Sequence, residues 1–88
     1  MSLQLAEQFE ANEQYEEAYR EYKKEYEANP DNMGVLERLG HLSMILDKLD
    51  EAASYYHEIL KRDVTNPLAY EQLMTIYEDT DAYKYYVF

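Results

Sequence analysis

The chain has 88 residues, with 19 acidic and 8 basic side chains that give a formal net charge of −11. This excess of acid argues against nucleic-acid backbones and anionic membrane surfaces as partners, because both attract clustered Lys and Arg. The chain has no cysteine and two glycines, which excludes a disulfide framework, a thiolate zinc site and a glycine-rich phosphate loop. Neither a signal peptide nor an apolar run of membrane-spanning length is evident, so we expect one cytoplasmic domain over residues 1–88.

Five helices are predicted in chain order, because Glu, Ala, Leu, Gln, Lys and Met dominate while Val and Thr are sparse. Polar segments separate these helices, and Asn66-Pro67 is a good start for the fifth. The Asn side chain accepts from free helix amides, and Pro at the first helical position loses no needed donor. The predicted helices cover about residues 3–12, 15–28, 33–46, 49–62 and 67–79, whereas 82–88 is too short to assign.

The apolar positions repeat when the sequence is shifted against itself by 34 residues. Leucines coincide in the odd-numbered helices, and small and aromatic residues coincide in the even-numbered ones. A fixed period made of two helices per unit is the signature of a helical solenoid. The coinciding positions are Leu5, Leu39 and Leu73; Ala6, Gly40 and Met74; Phe9, Ser43 and Tyr77; Ala18 and Ala52; Tyr22 and Tyr56; and Asn32 and Asn66.

This pattern resembles the tetratricopeptide repeat family, whose 34-residue unit runs large-x-x-Leu-small-x-x-aromatic, then Ala-x-x-x-aromatic, then Pro. The second unit carries the pattern on Leu36, Leu39, Gly40, Ala52 and Tyr56. The resemblance spans the chain as about two and a half repeats, at about 1–32, 33–66 and an incomplete 67–88. It implies an all-α solenoid of helix-turn-helix units.

Small residues predict where the two helices of one unit approach closely. We expect Ala6 to face Ala18, and Gly40 to face Ala52. A glycine inside a helix costs about 1 kcal/mol relative to Ala, so Gly40 indicates a packing requirement.

A stripe of tyrosines runs along the second predicted helix, at Tyr15, Tyr19, Tyr22 and Tyr26. We expect this stripe to pack between helices, with Tyr19 at its edge and partly exposed. Stacking of nucleic-acid bases on it would need nearby cations, and residues 1–31 carry three times as many acidic as basic side chains.

The sequence departs from the family pattern at several positions. Ser43 stands where an aromatic residue is usual. In the third unit, Met74 and Tyr86 occupy both small positions, so the last segment is not expected to fold back as a normal second helix. Five of the last six residues are apolar or aromatic, which predicts a homodimer through the C-terminal end: Tyr83, Tyr85, Tyr86, Val87 and Phe88.

No constellation for catalysis or metal binding can be assembled from the sequence. His57 begins a motif like that of zinc proteases, but Lys61 stands where the second His is required. His41 lies one turn after Glu37, and such a pair is most often simply solvated. We therefore expect no enzymatic activity, no cofactor and no metal, and we interpret His57 as a surface or interface residue.

The resemblance implies that the first helix of each unit lines a concave face that binds a partner. The family's clamp for chaperone carboxylate tails is absent, since the matching places hold Leu3, Glu7, Arg38, Leu68 and Gln72. An acidic face with an apolar centre predicts a scaffold or interaction module for a basic or amphipathic protein segment. We call the residues predicted on this face the groove residues. They are Leu3, Glu7, Glu10, Glu37, Arg38, His41, Met44, Ile45, Glu71, Gln72, Thr75 and Glu78.

Two alternatives to this interpretation stay open. The acidic residues of the groove could serve only to keep a small helical domain in solution. The chain could instead be a structural self-association unit that uses the open ends of the solenoid rather than its groove.

Overall fold

The computed structural model describes residues 2–79, which form five α-helices and no strand. The helices are α1 (Ser2–Ala11), α2 (Tyr15–Ala28), α3 (Met33–Ile45), α4 (Leu49–Arg62) and α5 (Pro67–Asp79). Each helix packs on the next along the chain, in a body of 47 × 25 × 18 Å. The predicted all-α repeat fold is confirmed. The predictions for the segment 82–88, with Tyr86 and the C-terminal dimer contact, lie outside the described residues.

The backbone repeats itself at the same 34-residue spacing as the side chains. Glu13 and Asp47 both adopt left-handed conformations, with φ of 61° and 59°. The residue after each donates to a carbonyl five residues earlier at 2.8 Å, in the pairs Gln14–Phe9 and Lys48–Ser43. The link within each helix pair is therefore the same turn built twice, which is the local geometry that a repeat requires.

Asparagine side chains begin the first helix of the second and third units. Asn32 accepts from the amide of Val35 at 3.2 Å, and Asn66 accepts from the amide of Ala69 at 3.1 Å. Each side chain satisfies one of the amides that a helix start leaves without a partner. These caps place the starts of α3 and α5 where the sequence predicts them.

The core consists of two clusters that meet on α3. Val35, Leu39 and Leu42 of α3 pack with α1 and α2, whereas Leu36 packs with α4 and α5. Ser43 is also fully buried, and its hydroxyl has no hydrogen-bond partner among the described residues. The third helix thus joins the two halves of the molecule.

The close approach at Gly40 involves an aromatic ring. A Cβ atom at this position would lie only 2.8 Å from Cζ of Tyr56. The ring of Tyr56 occupies the space that the missing side chain of Gly40 leaves, and the expected contact with Ala52 stays a prediction. A small residue is still required there.

Side chains alone connect α2 with α4. Tyr19 is only 4% exposed, so its predicted partial exposure is wrong. Its hydroxyl donates to Glu51 and lies 3.0 Å from the hydroxyl of Tyr55, whose ring also contacts Tyr26 edge-on. Burial, and then the acceptor Glu51, raise the pKa of Tyr19 above its ordinary value. These contacts hold consecutive units together along the even-numbered helices.

None of the helices within residues 2–79 has both the length and the apolar character needed to cross a membrane.

Candidate interaction groove

A cavity of ≈ 600 Å³ lies between α1 and α3. We call it the α1–α3 pocket, and it brings together three groove residues that the sequence places in different units or turns: Glu7, Glu10 and Arg38. Leu3, also a predicted groove residue, forms part of its apolar wall. The full lining is Leu3, Glu7, Glu10, Ala11, Tyr22, Asn32, Gly34, Val35 and Arg38.

Glu10 is neutralised inside this pocket by partners from two other helices. The hydroxyl of Tyr22 donates to Glu10 Oε1 at 3.0 Å, and Nε of Arg38 donates to the same atom at 3.2 Å. A second guanidinium nitrogen of Arg38 pairs with Glu10 Oε2. This two-point contact fixes both side chains, since an Arg fork matches a carboxylate in geometry. Glu10 and Arg38, both predicted groove residues, therefore already have a partner of opposite charge within the chain.

Glu7 is the free carboxylate of the pocket. Its side chain is exposed, and it makes no ion pair and no hydrogen bond to any residue between 2 and 79. Its charge acts on Tyr22, whose pKa is raised first by burial and then by this carboxylate. Because Arg38 is committed to Glu10, the net charge of the pocket comes from Glu7.

Glycine keeps the pocket open. A Cβ at Gly34 would meet only Oδ1 of Asn32, at 3.3 Å, and would otherwise enter open space. One repeat later, Leu68 stands at the place of Gly34, and Ile45 stands at the place of Ala11. Both are exposed, so the corresponding surface between α3 and α5 carries apolar side chains where the α1–α3 pocket has room.

The other predicted groove residues lie outside this pocket. Glu37, Met44 and Gln72 are half-buried, whereas His41, Glu71, Thr75 and Glu78 are exposed. Thr75 donates its hydroxyl to the carbonyl of Glu71 at 3.1 Å, within its own helix. Partial desolvation of its ring, and then the charge of Arg38, lower the pKa of His41.

Sequence reasoning missed five residues that line the pocket: Ala11, Tyr22, Asn32, Gly34 and Val35. Tyr22 was expected to be core only, yet its ring is buried while its hydroxyl reaches Glu10. The contrast between Gly34 and Leu68 at equivalent positions was the signal in the sequence that could have located the cavity.

Outside the groove, the other histidine serves a contact between helices. Nε2 of His57 lies 2.8 Å from the hydroxyl of Tyr77, which joins α4 to α5. Within the described part of the chain, no three His, Cys, Asp or Glu side chains cluster in a way that could hold a metal ion.

The chain matches no family model and no curated protein at a significant level. The resemblance to tetratricopeptide repeats therefore depends on features internal to this chain, namely its spacing of residues, and it stays a prediction.

Proposed function

We propose that this chain is a protein-interaction module of the tetratricopeptide type whose groove binds a basic, amphipathic segment of a partner protein. The observation that carries the proposal is an unpaired carboxylate, Glu7, on a largely apolar pocket in a strongly acidic chain. A segment with apolar and basic faces would match both chemistries. The proposal places the module in the cytoplasm and assigns it no catalytic role.

The side-chain contacts support one continuous face along the odd-numbered helices. Arg38 of α3 reaches Glu10 of α1, so these two helices are neighbours on one side of the molecule. Tyr19 and Tyr55 make the equivalent connection between α2 and α4 on the other side. A partner on the first side would therefore meet residues from two units at once.

The charge of the chain would guide such a partner to the groove. At physiological ionic strength, charges act over a Debye length of about 8 Å, so association should be fast at low salt and weaker at high salt. Acid groups such as Glu37 and Glu71 would then attract cations on the partner without forming buried ion pairs.

A synthetic amphipathic helix built from Lys, Leu and Ala tests the proposal. We expect it to bind in fluorescence anisotropy, to shift amide signals of α1, α3 and α5 in a ¹⁵N-labelled chain, and to weaken with added salt. The same peptide with Glu in place of Lys should not bind. Glu37→Lys should weaken binding, whereas Glu27→Lys, an exposed site on α2 with the same change in net charge, should not. Signal changes confined to α2 and α4 would contradict the proposal.

A second candidate function is self-association, and the exposure of α5 favours it. Tyr70 is 50% exposed although Leu36, one repeat earlier, is fully buried against α4 and α5. Met74 is 64% exposed at the place where Gly40 packs against Tyr56. Exposed apolar patches of this kind commonly mark contact sites.

Sedimentation equilibrium over a wide concentration range tests this second candidate. We expect a dimer that strengthens with added salt, because the net charge of −11 opposes association. Met74→Glu should abolish the dimer, whereas Thr75→Glu, at the neighbouring exposed site on α5, should leave it intact. A monomer mass for the unmodified chain at low and high salt would refute self-association.

A further inference from the structure

The size and the walls of the α1–α3 pocket suit a long side chain. Its volume of ≈ 600 Å³ exceeds that of any single side chain, so one can enter without displacing a lining residue. Leu3, Ala11 and Val35 make one part of the lining apolar, and Glu7 adds a charge to it. Lys and Arg have this combination, since their methylene stems pack on apolar surface while the charged head stays at a polar site.

The pocket has one carboxylate to offer. Glu10 already accepts from Tyr22 and Arg38, so its charge is balanced and attracts a second cation less than Glu7 does. The same pairing balances the charge of Arg38, and the nearby charge of Glu7 would repel an anion. One positive side chain on Glu7 is therefore the occupant that fits without breaking an existing contact.

The surface between α3 and α5, one repeat further along the groove, has different chemistry. It carries Leu68, Ile45 and Met44 at the positions equivalent to Gly34, Ala11 and Glu10. Leu68 and Ile45 are exposed, and Met44 is half-buried, so part of this surface is apolar, while Glu37 and Gln72 stand at the places of Leu3 and Arg38. The repeat equivalent of Glu7 on this surface is His41, whose pKa is lowered by partial desolvation and by the charge of Arg38.

We propose that the α1–α3 pocket takes a single lysine or arginine side chain of the partner, with its cation on Glu7, and that an apolar side chain of the same partner lies on Leu68 and Ile45. This inference rests on the proposed function of the groove and adds the identity of the anchoring residue. It also gives the bound segment one orientation, because the cationic anchor lies at α1 and the apolar contact lies toward α5.

A pair of synthetic peptides that differ at one residue tests the anchor. The first is an amphipathic helix with a single Lys, and in the second norleucine replaces that Lys, which keeps the apolar stem and removes the charge. We expect the Lys peptide to bind about fivefold more tightly in low salt, and the preference to shrink as salt is added. Glu7→Gln should abolish this preference, whereas Glu27→Gln, at an exposed acid on α2 outside the groove, should leave it unchanged.

Filling the pocket provides an independent test. Gly34→Leu should lower the affinity for the Lys peptide to the level of the norleucine peptide. The fold should persist, because Leu68 occupies the same position one repeat later and Asn66 still caps its helix. Circular dichroism will check folding, and if this variant unfolds, the Glu7→Gln comparison decides the question alone.

Spin labels on the peptide test its orientation. A label beside the Lys should broaden amide signals of α1, and a label at the apolar end should broaden those of α5. Equal affinities of the Lys and norleucine peptides, with groove signals still shifting, would overturn the anchor and leave the interaction module standing. Failure of both peptides to bind the groove would overturn both.

Discussion

Replacing Gly40 by Ala adds one methyl group against the ring of Tyr56. The new Cβ would lie 2.8, 3.0 and 3.1 Å from three ring carbons, whereas carbon atoms pack best at about 3.5–4.0 Å. The ring would therefore have to retreat by roughly 0.5–1 Å. Tyr56 is fully buried in a cluster with Leu36, Ala52 and Ile59, so it has little space to move.

The size of the effect follows from two opposing contributions. Overpacking of this kind costs about 1–3 kcal/mol, and exchanging Gly for Ala inside a helix returns about 1 kcal/mol. Gly34→Ala in the same helix has the second contribution with much less of the first, since its Cβ lies 3.3 Å from one atom, Asn32 Oδ1, which has to move by only a few tenths of an ångström. We therefore expect Gly40→Ala to be less stable than Gly34→Ala by about 1–3 kcal/mol.

Thermal and urea unfolding followed by circular dichroism measure this difference. In a domain of this size, each kcal/mol corresponds to about 4–8 °C in Tm. Gly40→Leu should be worse still, and Ser54→Leu, at an exposed site on α4, should be mild. Equal stability of Gly40→Ala and Gly34→Ala, or equal losses for the two leucine variants, would refute the packing of Tyr56 on Gly40.

Three further predictions concern turns, a buried hydroxyl and alkaline pH. Glu13→Gly should stabilise the chain by a few tenths to about 1 kcal/mol, and by more than Asp47→Gly, because Asp tolerates the left-handed conformation better than Glu. Unfolding in urea will rank the two variants, and no gain for Glu13→Gly would contradict the turn geometry. Ser43→Ala should raise the free energy of unfolding by about 0.5–2 kcal/mol, because it removes a buried hydroxyl without a partner and improves helix propensity. A clear decrease in the free energy of unfolding would show that the hydroxyl has a hydrogen-bond partner. The pKa values of Tyr19, Tyr22 and Tyr56 are raised, chiefly by burial, so the stability that these tyrosines contribute is complete below about pH 10 and is lost as pH rises through their folded pKa values. Ultraviolet titration should show a set of tyrosines that ionises late, together with alkaline unfolding. Ionisation of all tyrosines near pH 10 in the folded chain would refute this pH dependence.

The sequence by itself determined the helices and their repetition. A helix depends on hydrogen bonds between residues four apart, so the caps at Asn32 and Asn66 and the propensities between them were enough to predict it. The 34-residue spacing also predicted two equivalent units, and the matching turns at Glu13 and Asp47 show that equivalence in the backbone.

Only the tertiary structure decided which side chains meet across the units. Tyr19 is buried rather than at an edge, because α4 brings Glu51 and Tyr55 onto it. The charge of Glu10 is balanced by Arg38, which lies 28 residues further along the chain and on a different helix. A linear pattern shows which face of each helix is apolar, but contacts between distant residues depend on the angle and distance at which the units stack. That geometry decided that Glu7, rather than Glu10, is the free acid of the α1–α3 pocket, and that Gly34 leaves the pocket open.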